Sequence, residues 1–453
     1  MIELSLLGLA TLITFAALVI VEWAQEQAVT WDLLKFGAAF IALYGGAHVA
    51  VRRFAPHADP VILPVVALLN GLGLVIIHRL DLGSAHGENG RITHPDEANQ
   101  QVLWTFLGVL MLVGVLAMLR DHRVLSRYAY TIGLGGLVFL ALPAVLPSSL
   151  SEVNGSKNWI KTGIFNIQPN EVSKVLLIIF TAAFLVSKRD LFTSGGRRVF
   201  GVDLPRARDL APLLLVWAVA IGVLGVENDL GTPMLIFFTV LIMVYIATER
   251  VGWVVVGLAL FVVGAVVAYQ LFPHLRVRVS VWQDPFADFY GVGNQPAQAL
   301  FSLATGGLAG TGLGSGRPTM VPFASTDFVI AAIGEELGLI GLTALLLLFL
   351  ILVFRGFRAG LMVRDSFGKL LAAGLASTMA IQIFVVVGGV TKLIPLTGLT
   401  TPFVSYGGSS LLTNYALVAI LLRISNAARE PKVTSKQPGT PVPDRQTEIV
   451  KRA

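Results

Sequence analysis

The chain has 453 residues, of which 55% are apolar and only 13% charged. A soluble globular chain carries roughly 25% charged residues, so this composition cannot build a water-exposed surface of that size and indicates a polytopic membrane protein. The absence of cysteine excludes disulfides, thiolate metal sites and thiol nucleophiles, and a net charge of +6 on such a chain reflects basic cytoplasmic loops, not nucleic-acid binding.

Apolar stretches recur at 2–22, 33–51, 61–78, 102–119, 129–146, 172–187, 211–226, 232–247, 252–272, 328–354, 368–390 and 410–426. None alternates with the period of a membrane barrel, so the predicted fold is all-α, with about twelve transmembrane helices. The first stretch lacks a basic leader and a small-residue cleavage site, and reads as a retained span. Of the 33 Lys and Arg, 23 fall on the side of the termini and nine on the other, with Lys174 inside a span. The positive-inside rule then places both termini in the cytoplasm.

The long polar connections 79–101, 147–171 and 273–327 become extracytoplasmic, the last being the largest. Nucleotide is not supplied on that face, so ATP is not the expected substrate. The segment 427–453, with Pro431, Pro438, Pro441 and Pro443 among mixed charges, reads as a disordered cytoplasmic tail.

Ionisable residues inside or at the edge of a membrane are the default functional candidates. Glu171 and Lys174 open the sixth span in QPNEVSK, and their i, i+3 spacing puts them on one helix face as an ion pair. Asp327 stands where the longest polar loop enters the tenth span, in STDFVIAAIGEELG. Two readings are open for it. One is a helix start, with Ser325 or Thr326 as cap and Asp327 favoured in the first turn. The other is a half-desolvated carboxylate at the outer boundary, tuned for general-base work. Helical geometry lets Glu335 share a cavity with Asp327 and turns Glu336 toward another helix.

Asp229, in ENDLGT, is a second outer carboxylate, and a tight-turn role before Gly231 competes with a functional one. The outer basic residues Lys157, Lys161, Arg276, Arg278, Arg317 and Lys392 could together hold a pyrophosphate. The glycine run GGLAGTGLGSG (306–316) fits neither dinucleotide nor P-loop spacing and reads as a flexible or re-entrant loop. His86, Glu88, His94 and Asp96 share one outer loop, read as solvated and not as a metal site.

Five ordered segments carry a resemblance. They are NGSKNWIKTGIFNIQPNEVSK (154–174), DLGT (229–232), RVSVWQDPFAD (278–288), STDFVIAAIGEELGLIG (325–341) and PLTGLTTPFVSYGGSSLL (395–412). Together they resemble the SEDS (RodA/FtsW) family of bacterial cell-wall proteins over about residues 60–426. The resemblance implies a ten-helix core over 60–426, preceded in 1–59 by two extra helices, an arrangement similar to the RodA-type branch of actinobacteria. The chain departs from the family pattern at Glu227-Asn228, usually Gln-Pro, at Ser325, often His, and at Asn170, usually Ser.

The implied activity is that of a peptidoglycan glycosyltransferase, joining lipid II units at the outer face of the bacterial cytoplasmic membrane. Asp327 matches the family's essential aspartate and is the expected general base, with Glu171 and Lys174 as a supporting pair. Lys157, Arg278 and Lys392 are the expected pyrophosphate ligands, aided by a divalent cation such as Mg or Mn. Asp229, Glu335, Ser405 and Tyr406 lie in the shared motifs as further substrate-binding candidates. The implied partners are a class B penicillin-binding protein and other elongation or division proteins. The chain's Ser-x-x-Lys match, Ser366 to Lys369, falls on the cytoplasmic side, wrong for crosslinking. A lipid-precursor flippase and a non-catalytic scaffold are the competing readings. A flippase needs charges at several depths, whereas here they concentrate at the outer edge.

Overall fold

A computed structural model describes residues 2–25, 31–85, 96–153, 156–163, 166–189, 197–199, 202–204, 222, 227 and 229–431. The helices in chain order are α1 (Ile2–Ala24), α2 (Trp31–Phe54), α3 (Ile62–Ala85), α4 (Glu97–Met118) and the single turn α5 (Val124–Arg127). They continue with α6 (Ala129–Val145), α7 (Ser148–Ser151), α8 (Pro169–Ser187), α9 (Gly231–Thr248) and α10 (Val251–Leu271). The long connection 273–327 supplies α11 (Pro273–Gln283) and α12 (Asn294–Gly306), and the described helices close with α13 (Val329–Met362), α14 (Ser366–Val390) and α15 (Gly408–Arg429).

Among the described residues, ten helices are long and apolar enough to cross a membrane. They coincide with ten of the twelve expected stretches. The stretch at 129–146 is α6, at 17 residues shorter than the other ten, with Pro143 inside it. The stretch at 211–226 lies outside the described residues, apart from residue 222, as do the tail beyond 431 and the loop holding His86, Glu88 and His94. Among the described residues the strands form two antiparallel hairpins, Ile160–Lys161 with Asn166–Ile167 and Arg197–Val199 with Val202–Leu204. They leave the all-helical class intact.

Helices α3, α8, α14 and α15 are apolar around most of their circumference and form the centre, with 72–89% of their spanning windows buried. By contrast α10 buries little beyond Gly257, so its Leu and Val side chains face outward, as a lipid-facing helix requires. Helix α1 packs along α3. Its Glu3 is buried against His48 at 2.9 Å and Arg52 at 2.8 Å, and Glu22 meets His78 at 2.9 Å. Buried charges in membrane helices need such partners. Asp59, at the start of the common core, is buried between Arg355 and Arg429.

Of the two readings of the glycine run 306–316, the flexible one is not what the structure shows: the run is clasped against α13. Gly338 has φ 64° and breaks α13 into two helical segments. The bonds lost at the break, from 339 to 335 and from 340 to 336, are exchanged with the loop. Thr311 and Gly312 N–H donate to the carbonyls of Glu335 (2.9 Å) and Glu336 (3.0 Å). Leu339 and Ile340 N–H donate to Gly307 (2.9 Å) and Leu308 (3.1 Å). The approach is too close for a side chain, since a Cβ at Gly310 would lie 2.2 Å from the Glu336 carbonyl oxygen. Buried backbone groups need partners, and this loop supplies them to a broken helix.

Candidate active site

Five helix ends meet at one end of the bundle. The N-termini of α8, α9, α13 and α15 and the C-terminus of α14 surround a cavity of about 490 Å³, covered by the loop that carries α11 and α12. Gln168, Asp229, Asp327, Gly408 and Ser409 reach it from the four N-termini. Helix N-termini carry partial positive charge and unpaired N–H groups, so their convergence favours an anion.

Asp327 and Asp229 are the acids of this cavity, and Arg278 and Lys392 its cations. Asp327 precedes α13, whose N-cap position is Phe328 with no side-chain cap bond. The capping reading therefore fails: the Thr326 hydroxyl turns back to the Phe323 carbonyl at 3.3 Å. Among the described residues, nothing donates a hydrogen bond to the Asp327 carboxylate. Burial pushes its pKa up from 3.8 to about 6, against the pull of Arg278 and with a push from Asp229. Arg278 is itself shifted down by burial and held up by the two aspartates. Its Nη1 donates to the Leu396 carbonyl at 2.8 Å, which pins it over the cavity.

Asp229 serves both of its readings. Its Oδ1 accepts from Gly231 N (2.9 Å) and Thr232 N (3.3 Å), and its Oδ2 accepts from the Thr232 hydroxyl at 2.6 Å. This caps α9 while the residue still lines the cavity. The amide of Asn170 bridges Asp229 (3.2 Å) and Glu227 (3.0 Å). Burial, with Asp229 nearby, raises Glu227 to about 8, so it holds a proton at neutral pH. Lys392 has φ 62° and Phe323 φ 58°, a region costly for non-glycine residues and common around functional sites. Trp282 Nε1 donates to the Lys392 carbonyl at 3.1 Å and holds that turn.

Several candidates fall elsewhere. Glu335 does not share the Asp327 cavity: the Ser302 hydroxyl donates to its Oε2 (2.6 Å) and Arg317 N to its Oε1 (2.5 Å), behind α12. The rotation expected of a helix running through both residues does not apply, because α13 begins only at Val329, and α12 stands between Glu335 and the Asp327 cavity. Lys157 donates to the Ala144 carbonyl at 3.1 Å and is not part of the cavity wall. Ser405 lies beneath the cavity, its hydroxyl donating to the Thr326 carbonyl at 2.6 Å and accepting from Thr401 N at 2.9 Å. Tyr406 does line it, and its N–H donates to the Ser325 carbonyl at 2.7 Å.

Glu171 and Lys174 meet at 2.6 Å, both buried, and Lys174 also donates to Gln382 at 2.9 Å. Gln382 Nε2 in turn donates to the Thr400 carbonyl at 2.8 Å, so the pair supports the cavity floor from inside the bundle. Glu336 faces another helix, pairing with Arg79 of α3 at 2.9 Å. Sequence reasoning missed Asn158, Trp159, Gln168, Trp282 and Ser409, which all line the cavity. They sit inside the recurring segments, so the signal was present in the motifs but carried no charge to mark it.

The FtsW/RodA/SpoVE family, described as cell cycle proteins, matches residues 60–430. The chain is 59% identical over 450 residues to a Mycobacterium tuberculosis protein named peptidoglycan glycosyltransferase RodA, covering 99% of this chain and 95% of that one. The same name belongs to a Mycobacterium leprae protein, 56% identical over the same span. Among solved structures, a chain from a study titled "Structural coordination of polymerization and crosslinking by a peptidoglycan synthase complex" superposes with TM-score 0.65 at 27% identity. That match covers 83% of this chain and 99% of that one. The Thermus thermophilus rod shape determining protein RodA superposes with TM-score 0.56 at 26% identity, covering 83% of this chain and 98% of its own.

Proposed function

This chain belongs to the FtsW/RodA/SpoVE family, and on that premise we propose that Asp327 is the general base with which this peptidoglycan glycosyltransferase polymerises lipid II. The single observation that supports this most is an unbonded, half-buried carboxylate in a cavity that otherwise favours anions. An acceptor sugar hydroxyl attacks the anomeric carbon of the donor. The C–O bond to the lipid pyrophosphate breaks, and the hydroxyl proton passes to the Asp327 carboxylate. A base so placed contributes ~10²–10⁴-fold.

The leaving pyrophosphate departs as a stable anion and takes both electrons of the broken bond. It needs positive charge, not a general acid. Arg278 and Lys392 supply full charges, and the four helix N-termini supply partial ones. The described residues hold no group of three metal-type ligands. A Mg or Mn ion carried in on pyrophosphate oxygens asks the protein for about one or two carboxylates. With Asp327 serving as base, Asp229 is the carboxylate this cavity leaves for such an ion, which would add positive charge at the leaving group.

The positive-inside count supports an outer cavity and cytoplasmic termini in the bacterial cytoplasmic membrane. The Ser366–Lys369 pair lies at the far end of α14 from the cavity, ~36 Å along the helix axis. Crosslinking then belongs to a partner, which we take to be a class B penicillin-binding protein of the elongation machinery. Lipid II polymerisation by the purified protein tests the proposal. Asp327→Asn is expected to abolish it with normal folded yield, and full activity in that variant would falsify the general-base role. A flippase or scaffold is indicated if the wild-type protein, with partner present, forms no glycan.

A further inference from the structure

A second cavity, about 330 Å³, opens on the other face of α12 from Asp327. Helix α12 is the wall between them: Leu300 lines the first and Phe301 the second, on different faces of the helix. Phe301 and Phe323, on either side of the ridge between them, are 49% and 50% exposed. The floor of the second cavity is Glu335, whose two oxygens are already taken by Ser302 and the backbone of Arg317. The Gln298 amide and the Arg317 guanidinium line its sides and form no hydrogen bond or ion pair among the described residues.

We propose that this second cavity is a saccharide subsite that holds sugar units of the glycan strand remote from the reacting bond. The inference rests on the polymerase reading above. A ligand here meets acceptors, donors and hydroxyls in a small concave site beside exposed phenyl rings, which suits the polar edges and apolar face of a pyranose. A satisfied carboxylate on the floor disfavours a second phosphate. Contact with sugars beyond the reacting pair would hold the growing strand between additions and so favour longer products.

The experiment is lipid II polymerisation with full-length protein, reading product length and the initial rate of first-bond formation separately. Two variants are used, Arg317→Ala and Thr305→Trp, both at exposed positions lining the second cavity. Strands are expected to shorten about fivefold in each, the worth of one hydrogen bond to a charged group or less. First-bond rate is expected to stay within about twofold, since neither residue lines the Asp327 cavity. Wild-type length in both variants, or an equal fall in first-bond rate and length, overturns the subsite. Wild-type protein that makes no strands overturns the polymerase reading and the subsite with it.

Discussion

The hydroxyl of Ser405 donates a 2.6 Å hydrogen bond to the carbonyl of Thr326, the residue directly before Asp327. The Tyr406 N–H adds a 2.7 Å bond to the Ser325 carbonyl. The loop before α15 therefore holds the backbone that presents Asp327, from 79 residues away in the chain.

Ser405→Ala is expected to release one of these two bonds. It costs about 1 kcal/mol of stability, and the misplaced carboxylate lowers kcat about tenfold or more. KM should change little, because Ser405 does not touch the cavity. Steady-state polymerisation kinetics check this, and a rise in KM with unchanged kcat would place Ser405 in direct contact with substrate instead.

The pH dependence has a definite sign. Asp327 must be ionised to take a proton, and burial raises it to about 6. Activity should climb with pH up to about 6 and level off above it. Folding runs the other way: an acid whose pKa is raised from 3.8 to about 6 binds more protons when folded, so its contribution to stability falls as pH rises between those values. Asp327→Asn should remove that loss along with the activity. A kcat/KM profile that stays flat as pH crosses about 6 contradicts the assignment.

Glu227 extends the same logic. Its pKa, raised from 4.5 to about 8, means that stability falls as pH climbs through that window. Glu227→Gln keeps the neutral shape and should flatten the decline, leaving the variant more stable than wild type above about pH 8. Thermal unfolding in detergent across pH measures it, and parallel curves for the two proteins would show that Glu227 is ionised throughout.

Removing Glu171 strands the buried ammonium of Lys174, a loss of about 3–5 kcal/mol for a broken buried pair. Glu171→Ala should therefore reduce folded yield and activity together. Adding Lys174→Met should restore yield, because an apolar chain of similar length fills the space without a charge. Failure of the double variant to recover would point to the Gln382 link as the essential contact.

Composition and period were sufficient to read the membrane class, ten of the twelve expected spans and the long polar connection 273–327. Nearly every described span begins and ends within a few residues of its apolar stretch, because length and hydropathy are local properties. The motifs also located Asp327, Asp229 and Arg278, and the count of outer basic residues located Lys392. What they left open was which of these meet. Lys157 and Arg278 look alike as outer cations, yet one caps a carbonyl and the other faces Asp327.

Tertiary structure decided that sorting, along with the separation of Glu335 from Asp327 by α12, whose Ser302 holds the Glu335 carboxylate. The sparse charge of this chain told, from sequence alone, that it lives in a membrane. Which charges share one cavity depends on how five helix ends far apart in the chain are packed together. Helical period fixes a residue's face on its own helix, but the partner of that face is set by packing across the whole bundle.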